Sequence, residues 1–194
     1  AGRDEVFDSS AKPSTEPANF EYAQDDGKGL PNYRHSGGSS AAIRKIQKPL
    51  DPNDAVKRLA MPKGFRAEVF VSEPEIGKPL CVTWDDRGRL WVAETVDYPN
   101  DLQPRGEGRD QIKICEDTDG DGRADKFTIF AEGLSIPTGM AFANGGLVVH
   151  LAPDTVFMQD TDGDDKCDST KVLFSGWGTY DTHAGPSNLR YGHD

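Results

Sequence analysis

An acidic segment of nine residues occurs twice in this chain, and the two copies lie 43 residues apart. The copies run from Asp117 to Asp125 and from Asp160 to Asp168, and both carry Asp at their first, third, fifth and ninth positions. Carboxylates at this spacing can surround one hard cation, and Ca²⁺ is the cation that such loops usually bind. A repeat of this length is also the size of one β-propeller blade, so the segment constrains both metal chemistry and architecture.

Each acidic segment offers the same set of oxygen ligands. We expect the side chains at positions 1, 3, 5 and 9 and the backbone carbonyl at position 7 to converge on one Ca²⁺. These ligands are Asp117, Asp119, Asp121, Arg123 and Asp125 in the first loop, and Asp160, Asp162, Asp164, Lys166 and Asp168 in the second. An EF-hand would also need Glu at position 12, where this chain has Thr128 and Lys171. The alternative is an acidic, glycine-rich hairpin that has no tight metal site.

The residues on either side of the loops have the alternating pattern of β-strands. Ile112 to Ile114 precede the first loop, and Phe127 to Phe130 follow it. Alternating polar and β-branched or aromatic residues favour strands, so we expect each loop to connect two strands. At position 6 the second loop has Asp165 where the first has Gly122, and Asp tolerates a left-handed backbone better than most residues.

A strand–turn–strand pattern also recurs, starting at Pro79, Pro137 and Pro186. Each acidic loop falls between the third and fourth strand that follow such a start. Four short antiparallel strands per repeat are typical of a propeller blade. We therefore predict an all-β fold, a partial β-propeller of about two four-stranded blades plus the start of a third. A propeller needs at least four blades, so we expect the domain to continue beyond this chain.

The composition divides the chain near residue 50. Residues 1–50 are polar and rich in Pro, Gly and Ser, which predicts an extended arm or linker. Residues 51–194 are predicted to form the propeller part. One short helix is expected at its start, with Asp51 as N-cap and Pro52 at the first helical position. Its short apolar face would consist of Ala55, Leu59 and Ala60. Residues 65–71 alternate as a strand would.

Charge and cysteine content exclude several classes of function. The formal net charge of -11 argues against non-specific nucleic-acid binding, which needs clustered Lys and Arg. No apolar run is long enough for a transmembrane helix. Cys81, Cys115 and Cys167 form no CxxC or CxxCH motif, which excludes a zinc knuckle or covalent haem site in this segment. Buried or free thiols are the expectation, and a disulfide stays open as the alternative.

Several short motifs from about residue 50 onward resemble the N-terminal propeller of the "membrane-bound dehydrogenase" family of planctomycetes and verrucomicrobia. The resemblance lies in residues 62–65, 88–94, 97–99, 116–125, 137–139 and 189–192. That family is similar to soluble quinoprotein glucose and sorbosone dehydrogenases. The resemblance implies a periplasmic or extracellular dehydrogenase that oxidises a sugar or other alcohol. It also implies Ca²⁺, pyrroloquinoline quinone, and electron transfer to cytochrome c or to a haem domain outside this chain.

His183 and Asp181 are the catalytic residues that the resemblance implies, with His183 as the general base. At the equivalent place the two earlier repeats have Leu134 and Ile76. An imidazole that titrates near neutrality suits proton removal from a substrate hydroxyl. We expect His183 near the propeller axis, and the alternative is a surface or hydrogen-bonded loop histidine. Glu94 and Asp97 are predicted to be solvated loop carboxylates, and the alternative is that they face the channel mouth or the rim.

Two functions remain open from the sequence. The first is the quinoprotein dehydrogenase described above. The second is a Ca²⁺-stabilised propeller that acts without catalysis, as a binding or scaffold module in a larger assembly. A propeller fold supports both functions and does not decide between them.

Overall fold

A computed structural model describes residues 22–23, 46–47, 50–100 and 102–193. The chain forms two compact units, residues 1–68 and residues 69–194. In the first unit, the two-residue strands β1 (Tyr22–Ala23) and β2 (Ile46–Gln47) pair antiparallel. Apart from these two strands and Leu50, the predicted polar arm over residues 1–50 lies outside the described residues.

The predicted short helix is present as α1 (Pro52–Val56), and its start is the one expected. The Asp51 carboxylate accepts a hydrogen bond from the backbone N–H of Asn53 at 2.9 Å, which satisfies one of the first unpaired donors of the helix. Proline fits the first turn because its missing N–H would have no partner there. The predicted apolar face is wrong: α1 has no buried residue, and Leu59, beyond its end, is 58% exposed.

The second unit consists of two four-stranded antiparallel sheets, which confirms the predicted all-β class with two such units. The first sheet has the order β3 (Pro79–Trp84), β4 (Leu90–Glu94), β5 (Asp110–Glu116) and β6 (Lys126–Leu134). The second sheet repeats this order with β7 (Gly139–Ala143), β8 (Gly146–Leu151), β9 (Asp154–Gln159) and β10 (Ser169–Ser175). In both sheets each strand pairs with the next along the chain.

Two segments that alternate like strands are not strands in the structure. Residues 65–71 and the third repeat from Pro186 form no strand within the described part of the chain. An alternating pattern predicts which side chains face a core, but a strand also needs a neighbouring backbone to accept and donate its hydrogen bonds. For residues 65–71, the N–H of Ala124 donates to the carbonyl of Phe70 at 2.9 Å, but this contact is not continued as a ladder in the described part of the chain.

The hydrophobic core lies between the two sheets. Trp91 of β4 contacts the rings of Phe130 and Phe142, with centroids 4.7 and 5.1 Å away, and so joins both sheets. The first strands of the two sheets, β3 and β7, are also neighbours. The buried core residues are Trp91, Ala93, Ile112, Ile114, Phe130, Leu134, Met140, Leu147, Val149, Val156 and Met158. Burial of these side chains provides the main stabilisation of the pair of sheets.

A smaller cluster covers the other face of the first sheet. It contains Leu90, Val92 and Cys115, with Phe70 and Val71 packed against them. Every residue of β4 is therefore buried, because both of its faces are covered. All three cysteines are free thiols. Among the described residues, no helix has the length and apolar character needed to cross a bilayer.

Candidate functional site

The two acidic loops occupy the same place in the two sheets. The first connects β5 to β6, and the second connects β9 to β10. Strands flank both loops on both sides, as the alternating pattern predicted and as an EF-hand would not allow. The loops are mostly exposed, so each presents its carboxylates at the end of a hairpin.

The first carboxylate of each loop accepts two hydrogen bonds from the loop backbone. Asp117 accepts from the N–H groups of Gly120 and Gly122 at 2.7 and 2.9 Å. In the second loop, Asp160 accepts from the N–H groups at the same two positions, at 2.6 and 2.8 Å. These backbone donors hold the pKa of both carboxyls below the usual value. The main cause is the N–H of Gly122 in the first loop and the N–H of Gly163 in the second. Both groups are therefore carboxylates at neutral pH.

The last carboxylate of each loop closes the loop back onto its second residue. Asp125 accepts from the N–H and the hydroxyl of Thr118, at 3.1 and 2.9 Å. Asp168 accepts in the same way from Thr161, at 3.0 and 2.8 Å. The two loops thus share one hydrogen-bond framework although their sequences differ at three of nine positions.

Three carboxylates of each loop lie close enough to share one ion. One oxygen each from Asp117, Asp119 and Asp125 lie within 4.8 Å of one another, as do oxygens of Asp160, Asp162 and Asp168. Ca²⁺–oxygen distances of about 2.3–2.6 Å allow two ligands of one ion to lie up to about 5 Å apart. The donor set, which contains only hard oxygen atoms, therefore fits Ca²⁺ in kind and in spacing.

The fifth-position carboxylates lie outside these two groups. Asp121 instead accepts from the N–H of Arg123 at 2.8 Å, and Asp164 accepts from the N–H of Lys166 at 2.9 Å. Their side chains therefore cap the backbone at position 7. The ligand roles predicted for these two carboxylates, and for the carbonyls of Arg123 and Lys166, stay predictions.

Position 8 of each loop donates a backbone hydrogen bond to a residue that precedes the loop's own sheet in the chain. The N–H of Ala124 donates to the carbonyl of Phe70 at 2.9 Å, and the N–H of Cys167 donates to the carbonyl of Phe130 at 2.7 Å. The second loop, which belongs to the second sheet, thus bonds to β6 of the first sheet. This hydrogen bond connects the second loop to the contact between the two sheets.

A buried arginine gives the second loop an additional attachment that the sequence alone did not reveal. Arg89 Nε lies 2.8 Å from the Asp85 carboxylate, and Arg89 Nη1 lies 2.8 Å from the Asp165 carboxylate. Trp91 Nε1 also donates to Asp85, at 3.0 Å. Burial opposes ionisation of Asp85, but hydrogen bonds from Arg89 and Trp91 outweigh it and lower its pKa. The one signal in the sequence was Asp165 itself, which stands where the first loop has glycine.

Glu94 and Asp97 are buried, so the prediction that they are solvated is wrong. Only 5% of Glu94 and none of Asp97 is exposed. Glu94 forms an ion pair with Lys113 at 3.1 Å, and Asp97 forms one with Arg109 at 2.7 Å. Charged groups are buried only when they have such partners, and these partners come from β5 and the loop before it.

Asp110 is a further buried acceptor near these residues, and sequence reasoning missed it. One carboxylate oxygen accepts from the N–H groups of Val96 and Asp97, at 2.6 and 2.9 Å. The other accepts from the hydroxyl of Thr95 and the N–H of Ile136, both at 2.7 Å. Asp110 therefore stabilises the loop after β4 and the connection between the two sheets.

His183 lies in an exposed turn beside Asp181 and Tyr98. Its Nδ1 is 3.3 Å from the Asp181 carboxylate, which also accepts its backbone N–H at 2.8 Å. The Tyr98 ring packs edge-on to the imidazole with centroids 5.3 Å apart, and the His183 side chain is 65% exposed. The structure thus brings together the two residues predicted as catalytic. Their location relative to a propeller axis stays a prediction.

A pocket of about 310 Å³ lies next to this turn. Trp177, Tyr180 and Asp181 line it, whereas His183 is not among the described residues at its wall. Lys78 adds a positive charge near Tyr98, with its Nζ 5.6 Å from the ring centroid. His150 lies apart from this site in β8, where burial lowers its pKa and Thr155 provides a hydrogen-bond partner at 2.8 Å.

Residues 51–194 match DUF7133, a domain family described only as a domain of unknown function, and the chain belongs to that family. No curated protein and no solved structure matches the chain. The family thus covers α1 and both four-stranded sheets, and its function has to be argued from the residues themselves.

Proposed function

We propose that this chain is a Ca²⁺-stabilised part of a β-propeller that acts as a binding or scaffold module, with one Ca²⁺ in each acidic loop. The observation that carries the proposal is the recurrence of one hydrogen-bond framework at the same place in two sheets. The two loops keep this arrangement although they differ at three of nine positions, which supports a common role for their carboxylates.

The arrangement of the two sheets supports the propeller part of the proposal. Both sheets have four antiparallel strands in chain order, their first strands are neighbours, and they pack face to face over an apolar core. Adjacent blades of a propeller have these three features, with first strands nearest the central channel. The 43-residue interval between the loops agrees with the length of one blade.

The charges of the loops support Ca²⁺ binding. Three carboxylates at close range repel one another unless a cation lies between them. A Ca²⁺ ion takes 6 to 8 oxygen ligands, so backbone carbonyls and water complete a set that three carboxylates begin. Because each loop joins the last two strands of its sheet, a bound ion stabilises the folded hairpin and leaves the unfolded chain unaffected.

Thermal unfolding in chelator and in Ca²⁺ tests the proposal. At a Ca²⁺ concentration 100 times the Kd, one site adds about 2.7 kcal/mol to the free energy of unfolding. We expect the Tm to rise by about 5 °C or more. Asp117→Asn with Asp160→Asn should abolish the rise, whereas Asp86→Asn, at an exposed turn outside both loops, should retain it. Equal Tm values in chelator and in millimolar Ca²⁺ would refute Ca²⁺ binding.

The second candidate function is the quinoprotein dehydrogenase, and the pairing of His183 with Asp181 favours it. Asp181 can accept a hydrogen bond from His183 Nδ1–H, which orients the ring and directs Nε2 toward a substrate hydroxyl. Lys78 nearby suits the carboxylates of pyrroloquinoline quinone, which when bound would act as hydride acceptor. His183 would hold and remove the hydroxyl proton.

Dye-linked activity with added quinone and Ca²⁺ separates the two candidates. If the chain is part of a dehydrogenase, His183→Ala in the full-length protein should lower turnover by about 100-fold, as expected for loss of a general base. The matched control His193→Ala should retain activity. Because His183 is largely exposed, its replacement should leave the Tm unchanged, so a loss of activity would not come from unfolding. Full activity in His183→Ala would rule out this candidate.

A further inference from the structure

The two acidic loops differ in how they are attached to the rest of the unit. Both donate a backbone hydrogen bond from position 8, and they differ at position 6, where the Asp165 carboxylate of the second loop pairs with Arg89, next to β4 of the first sheet, and Gly122 of the first loop has no side chain. Arg89 is itself fixed, because its side chain is 8% exposed and forms a second ion pair with Asp85. The second loop thus has two attachments to the first sheet.

Asp165 also acts on a candidate metal ligand through its backbone. Its φ of 65° lies in the left-handed region, which is unfavourable for most residues but which the loop requires at position 6. In that conformation its N–H donates to Asp160 Oδ2 at 2.8 Å. Arg89 therefore stabilises the residue whose N–H orients the first carboxylate of the second loop. Gly122 reaches the same conformation in the first loop with a φ of 90°, but it has no side chain to hold it there.

We propose that Arg89 and Asp165 are positioning residues that couple Ca²⁺ binding in the second loop to the packing of the two sheets, which makes the second loop the tighter site. This inference rests on the proposed function, because it assumes that both loops bind Ca²⁺. A loop that is already ordered loses less conformational entropy when an ion binds. Coupling is reciprocal, so an ion in the second loop stabilises the contact between the sheets in return.

Calorimetric Ca²⁺ titration of the whole chain can measure each loop by itself. Asp117→Asn with Asp119→Asn inactivates the first loop and reports the second, and Asp160→Asn with Asp162→Asn does the reverse. We expect the second loop to bind more tightly than the first. Asp165→Gly, which gives the second loop the residue of the first, should weaken Ca²⁺ binding there by about tenfold. It should also reduce the Ca²⁺-dependent rise in Tm.

Two variants control for simpler explanations. Asp165→Asn keeps an oxygen for Arg89 and a side chain that tolerates positive φ, so it should recover most of the affinity lost in Asp165→Gly. It also preserves the test if Asp165→Gly does not fold, since an intermediate affinity is then expected for Asp165→Asn. Gly122→Asp adds the same carboxylate to the first loop, while Arg89 stays paired with Asp85 and Asp165, and it should not tighten binding there by a comparable factor.

Three results distinguish the possible failures. If Asp165→Gly lowers the Tm equally in chelator and in Ca²⁺ and leaves the Kd unchanged, the ion pair is only structural and the inference is overturned while Ca²⁺ binding stands. If Gly122→Asp tightens the first loop as much as Asp165 tightens the second, added charge explains the difference and the inference also fails. If no background binds Ca²⁺, the proposed function fails and the inference fails with it.

Discussion

Replacement of Asp110 should destabilise the chain more than any other single loss of a carboxylate among the described residues. Its side chain is 1% exposed and accepts four hydrogen bonds from Thr95, Val96, Asp97 and Ile136. Asp110→Ala leaves three backbone N–H groups and one hydroxyl without this acceptor in a region that water barely reaches. Each buried donor that loses its partner costs about 1–3 kcal/mol.

The four costs do not add fully, because water can enter the space that the carboxylate leaves. We expect Asp110→Ala to lower the free energy of unfolding by about 4 kcal/mol, which is a large part of the stability of a typical domain. Asp110→Asn should cost about 2 kcal/mol, because its oxygen keeps one pair of donors while its NH₂ group faces the other pair.

Urea unfolding followed by tryptophan fluorescence measures these differences through the midpoint, provided that the slope stays constant. Asp86→Asn is the control because Asp86 is exposed in the turn between β3 and β4. Its free energy of unfolding should stay within about 0.5 kcal/mol of that of the parent. The reasoning would be wrong if Asp110→Ala unfolded at the same urea concentration as Asp86→Asn.

Two further predictions concern the backbone and pH. An added Cβ at Gly108 would lie 1.7 Å from the carbonyl oxygen of Leu134, whereas one at Gly77 would meet nothing within 4 Å. Gly108→Ala should therefore cost about 3 kcal/mol or more and Gly77→Ala almost nothing, and equal urea midpoints would contradict this. Burial raises the pKa of the Cys115 thiol to about 11, so the folded state favours the protonated form. The contribution of the Cys115 thiol to the free energy of unfolding should be complete below pH 9 and should fall between pH 9 and 11, by up to about 1.4 kcal/mol per pH unit. If the free energy of unfolding of Cys115→Ala has the same pH slope as that of the parent, Cys115 is excluded as the cause.

Local patterns predicted much of the secondary structure. The helix start at Asp51 and Pro52 was predictable because capping involves residues two or three positions apart in the chain. The strands on both sides of each acidic loop were predictable because period-two alternation and glycine-rich turns are also short-range signals. The same alternation failed at residues 65–71, where no neighbouring strand is available in the described part of the chain.

The functional side chains were predictable only where one loop contains them all. The carboxylates of Asp117, Asp119 and Asp125 lie together because the turn between β5 and β6 brings them together, so their spacing in sequence was enough. Asp121 shows the limit of sequence spacing, since its carboxylate lies outside that group and accepts from the backbone N–H of Arg123. A count of acidic residues cannot show which oxygen atoms the backbone already uses.

The sequence by itself determined the two acidic loops, the strands that flank them and the capped helix, because each depends on residues within about ten positions of one another. Only the tertiary structure decided which charged groups are buried. Asp165 forms a hydrogen bond with Arg89, 76 residues away in the sequence, and Asp110 forms one with Ile136, 26 residues away. No local periodicity of the sequence predicts these contacts between sheets and connections. The physical reason is that a buried charge requires partners from other elements, and folding alone places those partners beside it.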